Sequence, residues 1–251
     1  MDYGIGLISL VAGYLAGSIN FARIITRWKA PEKNLEAVKI KMEAGEENEY
    51  LGGIGPGAAG LVLGPKMGVA AAILDILKVV IPMLALKIYY LGDPYYLIAG
   101  FGGLLGHNWP IYYRFKGGRG VSILLGSFLV LDWVGTFAML FLGFFLVTVF
   151  IGSPILSFVF WIWLMIPWAF WRLDTPQAIF VMVMNVFFLI STIPEMSSML
   201  RLKRTGKYDT YSQSLYNAKS ELRWMKEMTD RFWILRPIFN RRNNSEEVQS
   251  S

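Results

Sequence analysis

Apolar runs follow one another along most of the chain, separated by short polar or glycine-rich breaks. The first, residues 4 to 26, is long enough as a helix to cross about 30 Å of hydrocarbon, and its small residues Gly13, Ala16, Gly17 and Ser18 predict close helix packing. Further spans are predicted over about 67 to 91, 95 to 113, 121 to 132, 134 to 152, 154 to 171 and 177 to 194. Residues 27 to 51 are polar, with Arg27, Lys29, Lys33, Lys39 and Lys41 followed by Glu43, Glu46, Glu47 and Glu49, and read as an exposed loop with a short helix. The Gly and Pro density from Gly52 to Gly60 predicts a loop or re-entrant turn rather than a regular helix. Beyond the last span, basic residues alternate with Trp224, Met225, Met228, Phe232, Trp233, Leu235, Ile238 and Phe239. That pattern predicts an amphipathic helix on the membrane surface over 210 to 235, ending at Pro237, with 243 to 251 disordered. The expected fold is all-α: a polytopic membrane domain of about seven transmembrane helices over 1–200, then a basic cytoplasmic tail over 201–251 that carries the amphipathic helix.

Composition agrees with this pattern and narrows its meaning. Of 251 residues, 55% are hydrophobic, 15% aromatic and only 17% charged, which is far from a soluble composition. The net charge of +6 reads as topology and contact with anionic lipid rather than nucleic-acid binding, because basic residues beside spans set orientation. With the amino terminus outside, the inner side receives the 27 to 66 loop, the Arg114 to Arg119 loop and the tail, leaving Lys87 and Arg172 near outer loops. The expected location is therefore the cell membrane, multi-pass, with the functional loops cytoplasmic. Met1-Asp2-Tyr3 lacks the basic start of a cleaved signal, so the first run reads as a retained span. No cysteine is present, which excludes thiol catalysis and thiolate metal sites, and one histidine gives no expectation of a metal.

That histidine, His107, stands in Gly106-His107-Asn108-Trp109-Pro110, just ahead of Phe115-Lys116-Gly117-Gly118-Arg119-Gly120-Val121. Lys116, Gly117, Gly118, Arg119 and Gly120 have an anion-binding composition: glycines let backbone N–H groups approach a ligand, and the cations supply charge. In the second span Asp75 and Lys78, three residues apart, share a helical face. Ionisable groups inside a span are costly unless paired, so they are expected to face protein and hold this span against its neighbours. Ser18 and Asn20 are expected to support the site by hydrogen-bonding between helices. The His-x4-Asp pattern of acyl-CoA acyltransferases fails, because Tyr112 stands where the aspartate is required. No inverted repeat of the transporter kind is apparent.

Gly17-Ser18-Ile19-Asn20-Phe21, Leu74-Asp75-Ile76-Leu77-Lys78 and, above all, the Gly-His-x-x-Pro string with its Phe-Lys-Gly-Gly-Arg-Gly continuation resemble the PlsY family of bacterial membrane enzymes, which acylate glycerol 3-phosphate from acyl phosphate. The resemblance covers about residues 5 to 125. It implies that Lys116, Arg119 and the N–H groups of Gly117, Gly118 and Gly120 hold a phosphate, while His107 orients the loop or hydrogen-bonds a substrate. It implies no cofactor; the partners are acyl phosphate, glycerol 3-phosphate and membrane lipid, with the acyl chain entering between spans. The chain departs from the family in two places. The family's first cytoplasmic loop carries Ser, Asn, Thr and Arg, whereas Gly52 to Leu61 keeps only glycines, alanines and apolar residues. After the last span, where a histidine, glutamate and asparagine are expected, Glu195 followed by Lys203-Arg204-Thr205-Gly206 offers only a loose echo. These losses define an alternative: a relative with the fold and the anion loop but without catalysis, binding phosphate or lipid.

Overall fold

A computed structural model describes residues 2–41, 47–49, 51 and 53–234. Gly52, Glu43, Glu46, Leu235, Pro237, Ile238, Phe239 and the expected disorder over 243 to 251 lie outside the described residues.

The first helix, α1 (Tyr3–Ser18), starts where Asp2 Oδ1 accepts from the N–H groups of Gly4 and Ile5, at 2.6 and 3.2 Å. Its partner along the bundle is α5 (Tyr95–Asn108). The two backbones touch: Cβ atoms on Gly13 and Gly17 would overlap the carbonyls of Ala99 and Gly103, and on Gly102 and Gly106 those of Leu10 and Tyr14. The small residues read from the first span therefore do pack a helix closely, by reciprocal glycine contact.

The first apolar run is not one helix. It breaks at Ile19–Asn20, and α2 (Phe21–Lys29) begins under the Asn20 side chain, whose Oδ1 accepts from Arg23 N–H at 3.0 Å. Beyond α2 the polar segment forms a 3-10 turn (Leu35–Ala37) and an antiparallel strand pair, β1 (Lys39–Lys41) and β2 (Glu47–Glu49), pairing Ile40 with Asn48. The sequence reading had the short helix but not the strands. Part of the glycine run is also helical, contrary to expectation: α3 (Pro56–Leu63) starts at a proline in its first turn and ends at Gly64, whose φ of 94° stops it. Proline at a helix start loses no hydrogen bond there, and this advantage outweighs the glycines once Ala58 and Ala59 are buried against α2 and α4 (Pro65–Tyr89).

The bundle continues through α6 (Val121–Leu131), α7 (Trp133–Leu146, extended by a π turn, Val147–Ile151), α8 (Pro154–Val159), α9 (Trp161–Arg172) and α10 (Thr175–Arg204). Its core is formed by Val79, Met83, Leu104, Leu124, Phe128 and Met184, all at most 1% exposed. Among the described residues, four stretches are long and apolar enough to cross a membrane: Tyr3–Lys29, Pro65–Tyr89, Trp133–Ile151 and Thr175–Arg204. At 1.5 Å per residue, the 14 residues of α5 and the 11 of α6 reach only about 21 and 16 Å, short of the hydrocarbon thickness. Length alone thus supports four crossings rather than seven. The protein is nonetheless a multi-pass, almost wholly helical membrane protein.

Two boundaries at the carboxyl end differ from expectation. Helix α10 runs ten residues past the predicted end at 194, through Pro194, so Glu195 lies within the last long helix instead of after it. The tail helix is two, α11 (Tyr208–Ala218) and α12 (Ser220–Phe232), parted at Lys219. Tyr211 and Leu215 bury against Ile40 of β1, and Trp224 stacks on Phe144 at 6.2 Å, so this tail folds back on the bundle as well as exposing Phe232 and Ile234.

Candidate functional site

Helix α5 ends at Asn108, and the chain turns through Trp109-Pro110 and a 3-10 turn (Ile111–Tyr113) into the glycine loop. Arg114 and Phe115 adopt the left-handed region, with φ of 51° and 61°, which reverses the chain. The loop then folds back under α5. Gly118 N–H donates to the His107 carbonyl at 3.1 Å, and a Cβ on Gly118 would collide with the His107 ring. A Cβ on Gly117 would come within 2.7 Å of the Asn108 carbonyl. Only glycine allows this approach at either position. Gly120, with φ 85°, caps α6 without a side-chain hydrogen bond, so the N–H groups of the first turn of α6 face the loop.

His107 is 3% exposed and sits behind the loop, outside the cavity lining. Its Nδ1 lies 3.1 Å from Lys78 Nζ and 3.9 Å from Asp75 Oδ2, and Lys78 Nζ is 2.8 Å from Asp75 Oδ1. Lys78 also donates to the Ile19 carbonyl, at the break between α1 and α2. An ammonium only donates, so Nδ1 accepts and the ring proton resides on Nε2, toward Gly118. Asp75 and Lys78 thus hold their span against neighbouring elements, as their spacing suggested. They also fix the ring against which the loop rests. His107 backs the loop, which corresponds to the first of the two roles the resemblance implied for it, orienting the loop or hydrogen-bonding a substrate.

The two supporting candidates differ in outcome. Ser18 Oγ donates within its own helix, to Tyr14 O at 2.8 Å, and among the described residues it bridges no helices. Asn20 does bridge: its Nδ2 donates to Ile54 O at 2.9 Å, while Ile54 N–H donates to Gly117 O at 3.2 Å, tying the glycine run to the loop. The Gly118 N–H, a candidate phosphate donor, is committed to His107.

Lys116, Gly117, Gly118 and Arg119 line one cavity of about 320 Å³ together with Gly53, Asn108, Trp109 and Ser191. Arg119 is fixed across it by α10: Nε to Glu195 Oε2 at 3.2 Å, Nη1 to Ser191 O at 3.0 Å. Gly53 faces that guanidinium, a Cβ there falling 3.2 Å from Nε. The loose echo at Glu195 is therefore a real partner of the loop, one helical turn beyond Ser191. Lys116 is 66% exposed and lies 3.6 Å from Glu36 Oε2, whose other oxygen takes Arg23 Nη1 at 2.7 Å. Arg23 in turn donates to Lys116 O at 3.1 Å and lies 4.8 Å above the Tyr113 ring. Sequence reasoning missed Arg23, Glu36 and Ser191. An arginine at the end of an apolar run was the available sign for the first. Nothing local marked the other two. Among the described residues no group of three or more His, Asp or Glu could hold a metal.

Glu36 is a carboxylate held on the cation that a phosphate would use. The Arg23 hydrogen bond, reinforced by both positive charges, lowers its pKa below the usual 4.5. A depressed carboxylate pKa keeps the bridge intact above the ordinary value and loses it as pH falls through the lowered one, so the bridge is constant at neutral pH. Glu36→Gln is expected to tighten binding of phosphate-bearing substrate about two- to fivefold at low salt and by less at high salt, read as a fall in KM.

The fold and site define a membrane-embedded helical bundle that closes one end with a cationic glycine loop, anchored on a buried histidine and leading into the N-terminus of α6, an arrangement with the composition of an anion site. The family described as glycerol-3-phosphate acyltransferase matches residues 7–202, and the chain belongs to it. Relatives include glycerol-3-phosphate acyltransferase of Anaeromyxobacter sp. (strain Fw109-5), 33% identical over 135 residues, 52% of this chain and 61% of that protein. Glycerol-3-phosphate acyltransferase 1 of Lactobacillus johnsonii (strain CNCM I-12250 / La1 / NCC 533) is 33% identical over 143 residues, 57% of this chain and 64% of that protein. The chain thus spans about three fifths of the length of these curated relatives. The fold matches crystal structures of PlsY, an integral membrane glycerol 3-phosphate acyltransferase. In its lysophosphatidic acid form the TM-score is 0.62 at 20% identity, over 80% of this chain and 93% of that one. In its glycerol 3-phosphate form the TM-score is 0.61 at 23% identity over the same shares.

Proposed function

We propose that the protein transfers a fatty acyl group from acyl phosphate to the primary hydroxyl of glycerol 3-phosphate, releasing lysophosphatidate and inorganic phosphate at the cytoplasmic face. The observation that carries this reading is the joint lining of one cavity by Lys116, Gly117, Gly118 and Arg119 at the start of α6. Lys116, Arg119 and the N–H groups of Gly117, Gly120 and the first turn of α6 hold a phosphate. The hydroxyl oxygen bonds to the acyl carbon, the bond to the phosphate oxygen breaks, and the hydroxyl proton leaves with the phosphate. Acyl phosphate is already activated, so alignment and charge neutralisation supply most of what the step needs, without a strong base. His107 contributes by holding Gly118. Family membership, the glycerol-3-phosphate acyltransferase activity named for the relatives and the fold support acylation of glycerol 3-phosphate.

Purified protein given acyl phosphate and glycerol 3-phosphate is expected to form lysophosphatidate at least about 100-fold faster than the Lys116→Ala/Arg119→Ala variant, measured by product mass. Equal rates for the two proteins would overturn the assignment; phosphate binding without turnover would identify the non-catalytic relative instead.

A further inference from the structure

Asn108 lines the cavity beside the loop, and it is only 4% exposed. Neither its Oδ1 nor its Nδ2 has a hydrogen-bond partner among the described residues. Buried amides are normally satisfied, and one whose two atoms both lack a partner, in a residue of the cavity lining, has hydrogen bonds to offer a ligand. Its place is defined: a Cβ on Gly120 would fall 2.9 Å from Oδ1, which sets the carboxamide over the start of α6. The neighbouring polar side chains are engaged. Ser191 Oγ lies within hydrogen-bond distance of the carbonyls of Phe188 and Arg119, at 2.7 and 3.2 Å. Arg119 is held by Glu195 and by the Ser191 carbonyl, and Lys116 faces Glu36.

A phosphate only accepts hydrogen bonds, so it matches the cations and N–H groups and leaves an amide oxygen unsatisfied. A hydroxyl both donates and accepts, and therefore matches both ends of a carboxamide. The hydroxyl that attacks passes its proton to the departing phosphate and so cannot also donate it to Oδ1, which argues against a two-point grip on it. We propose that Asn108 is the specificity residue for the acceptor, its Oδ1 accepting from, and its Nδ2 donating to, the non-reacting secondary hydroxyl of glycerol 3-phosphate. This rests on the acyl-transfer reading above and deepens it. It also accounts for how a chain without Ser, Asn, Thr or Arg between Gly53 and Leu61 grips a polyol.

The test is binding, read by calorimetry on the full chain in detergent, with glycerol 3-phosphate and 1,3-propanediol monophosphate, which differs only in lacking the secondary hydroxyl. The wild type is expected to prefer glycerol 3-phosphate about tenfold, and Asn108→Leu, close in volume but without hydrogen-bonding atoms, to bind both equally at the weaker level. The ligand-free Asn108→Leu protein is expected to melt at or above the wild-type temperature, because an unsatisfied buried amide has been removed. Asn108→Ala is a second variant with the same expected loss of preference. No wild-type preference, no wild-type binding of either compound, an equal loss for both compounds in the variants, or a lowered melting temperature for Asn108→Leu each overturns the proposal. Turnover is measured separately: a wild type that binds with this preference yet transfers no acyl group overturns the proposed activity alone.

Discussion

Alanine at Gly118 is expected to lower acyl transfer about 10²- to 10³-fold while leaving the protein folded in detergent. The new Cβ would overlap the His107 ring. That ring has nowhere to go, since it is 3% exposed and bounded by Lys78 and Asp75. The loop must yield instead, breaking the Gly118 N–H bond to His107 O and shifting Lys116 and Arg119 on either side. Gly118 is not among the glycines with positive φ, so alanine meets no backbone strain and the effect isolates the close approach. Steady-state rates beside a thermal melt check it; unchanged kcat/KM would show that the loop tolerates the shift.

Removing one member of the buried pair behind that histidine is expected to cost the most stability. Asp75→Ala leaves the Lys78 ammonium, its side chain 4% exposed, with the Ile19 carbonyl, His107 and the Phe21 ring 6.0 Å away but no carboxylate partner among the described residues, a loss of about 3–5 kcal/mol. The double variant Asp75→Leu/Lys78→Met removes both charges and is expected to recover most of that stability. It is not expected to recover activity, because His107 loses the donor that fixes its ring. Chemical denaturation of the two variants, with rates measured on the refolded double variant, separates these outcomes. A double variant as unstable as the single one, or as active as the wild type, would contradict this account of the cluster.

Much of the site was legible along the chain. Gly106 through Gly120 announced an anion loop, because glycine density and cations are local properties that survive without knowledge of the fold. Asp75 and Lys78 were legible as a pair because helical spacing alone puts them on one face. Ser18 was misassigned for a related reason: a small polar residue on a packed helix can satisfy itself on its own turn, as it does on Tyr14 O, and sequence does not separate the two cases. Arg23, Glu36 and Ser191 were not legible as site residues, since they meet the loop across sequence separations of 93, 80 and 72 positions. The helix within the glycine run and the two-part tail were missed because burial of Ala58, Ala59, Tyr211 and Leu215 overrode local propensity.

By itself, then, the sequence determined the solvent, the fold class and the chemical character of one loop, because hydropathy, composition and short-range spacing are set residue by residue. Tertiary structure alone decided how that loop is used. It placed His107 behind rather than inside the cavity, committed the Gly118 N–H, brought Glu195 and Ser191 onto Arg119, and left the buried Asn108 amide without a partner among the described residues. Those outcomes depend on which buried groups find partners across the bundle, and only the packed helices fix that.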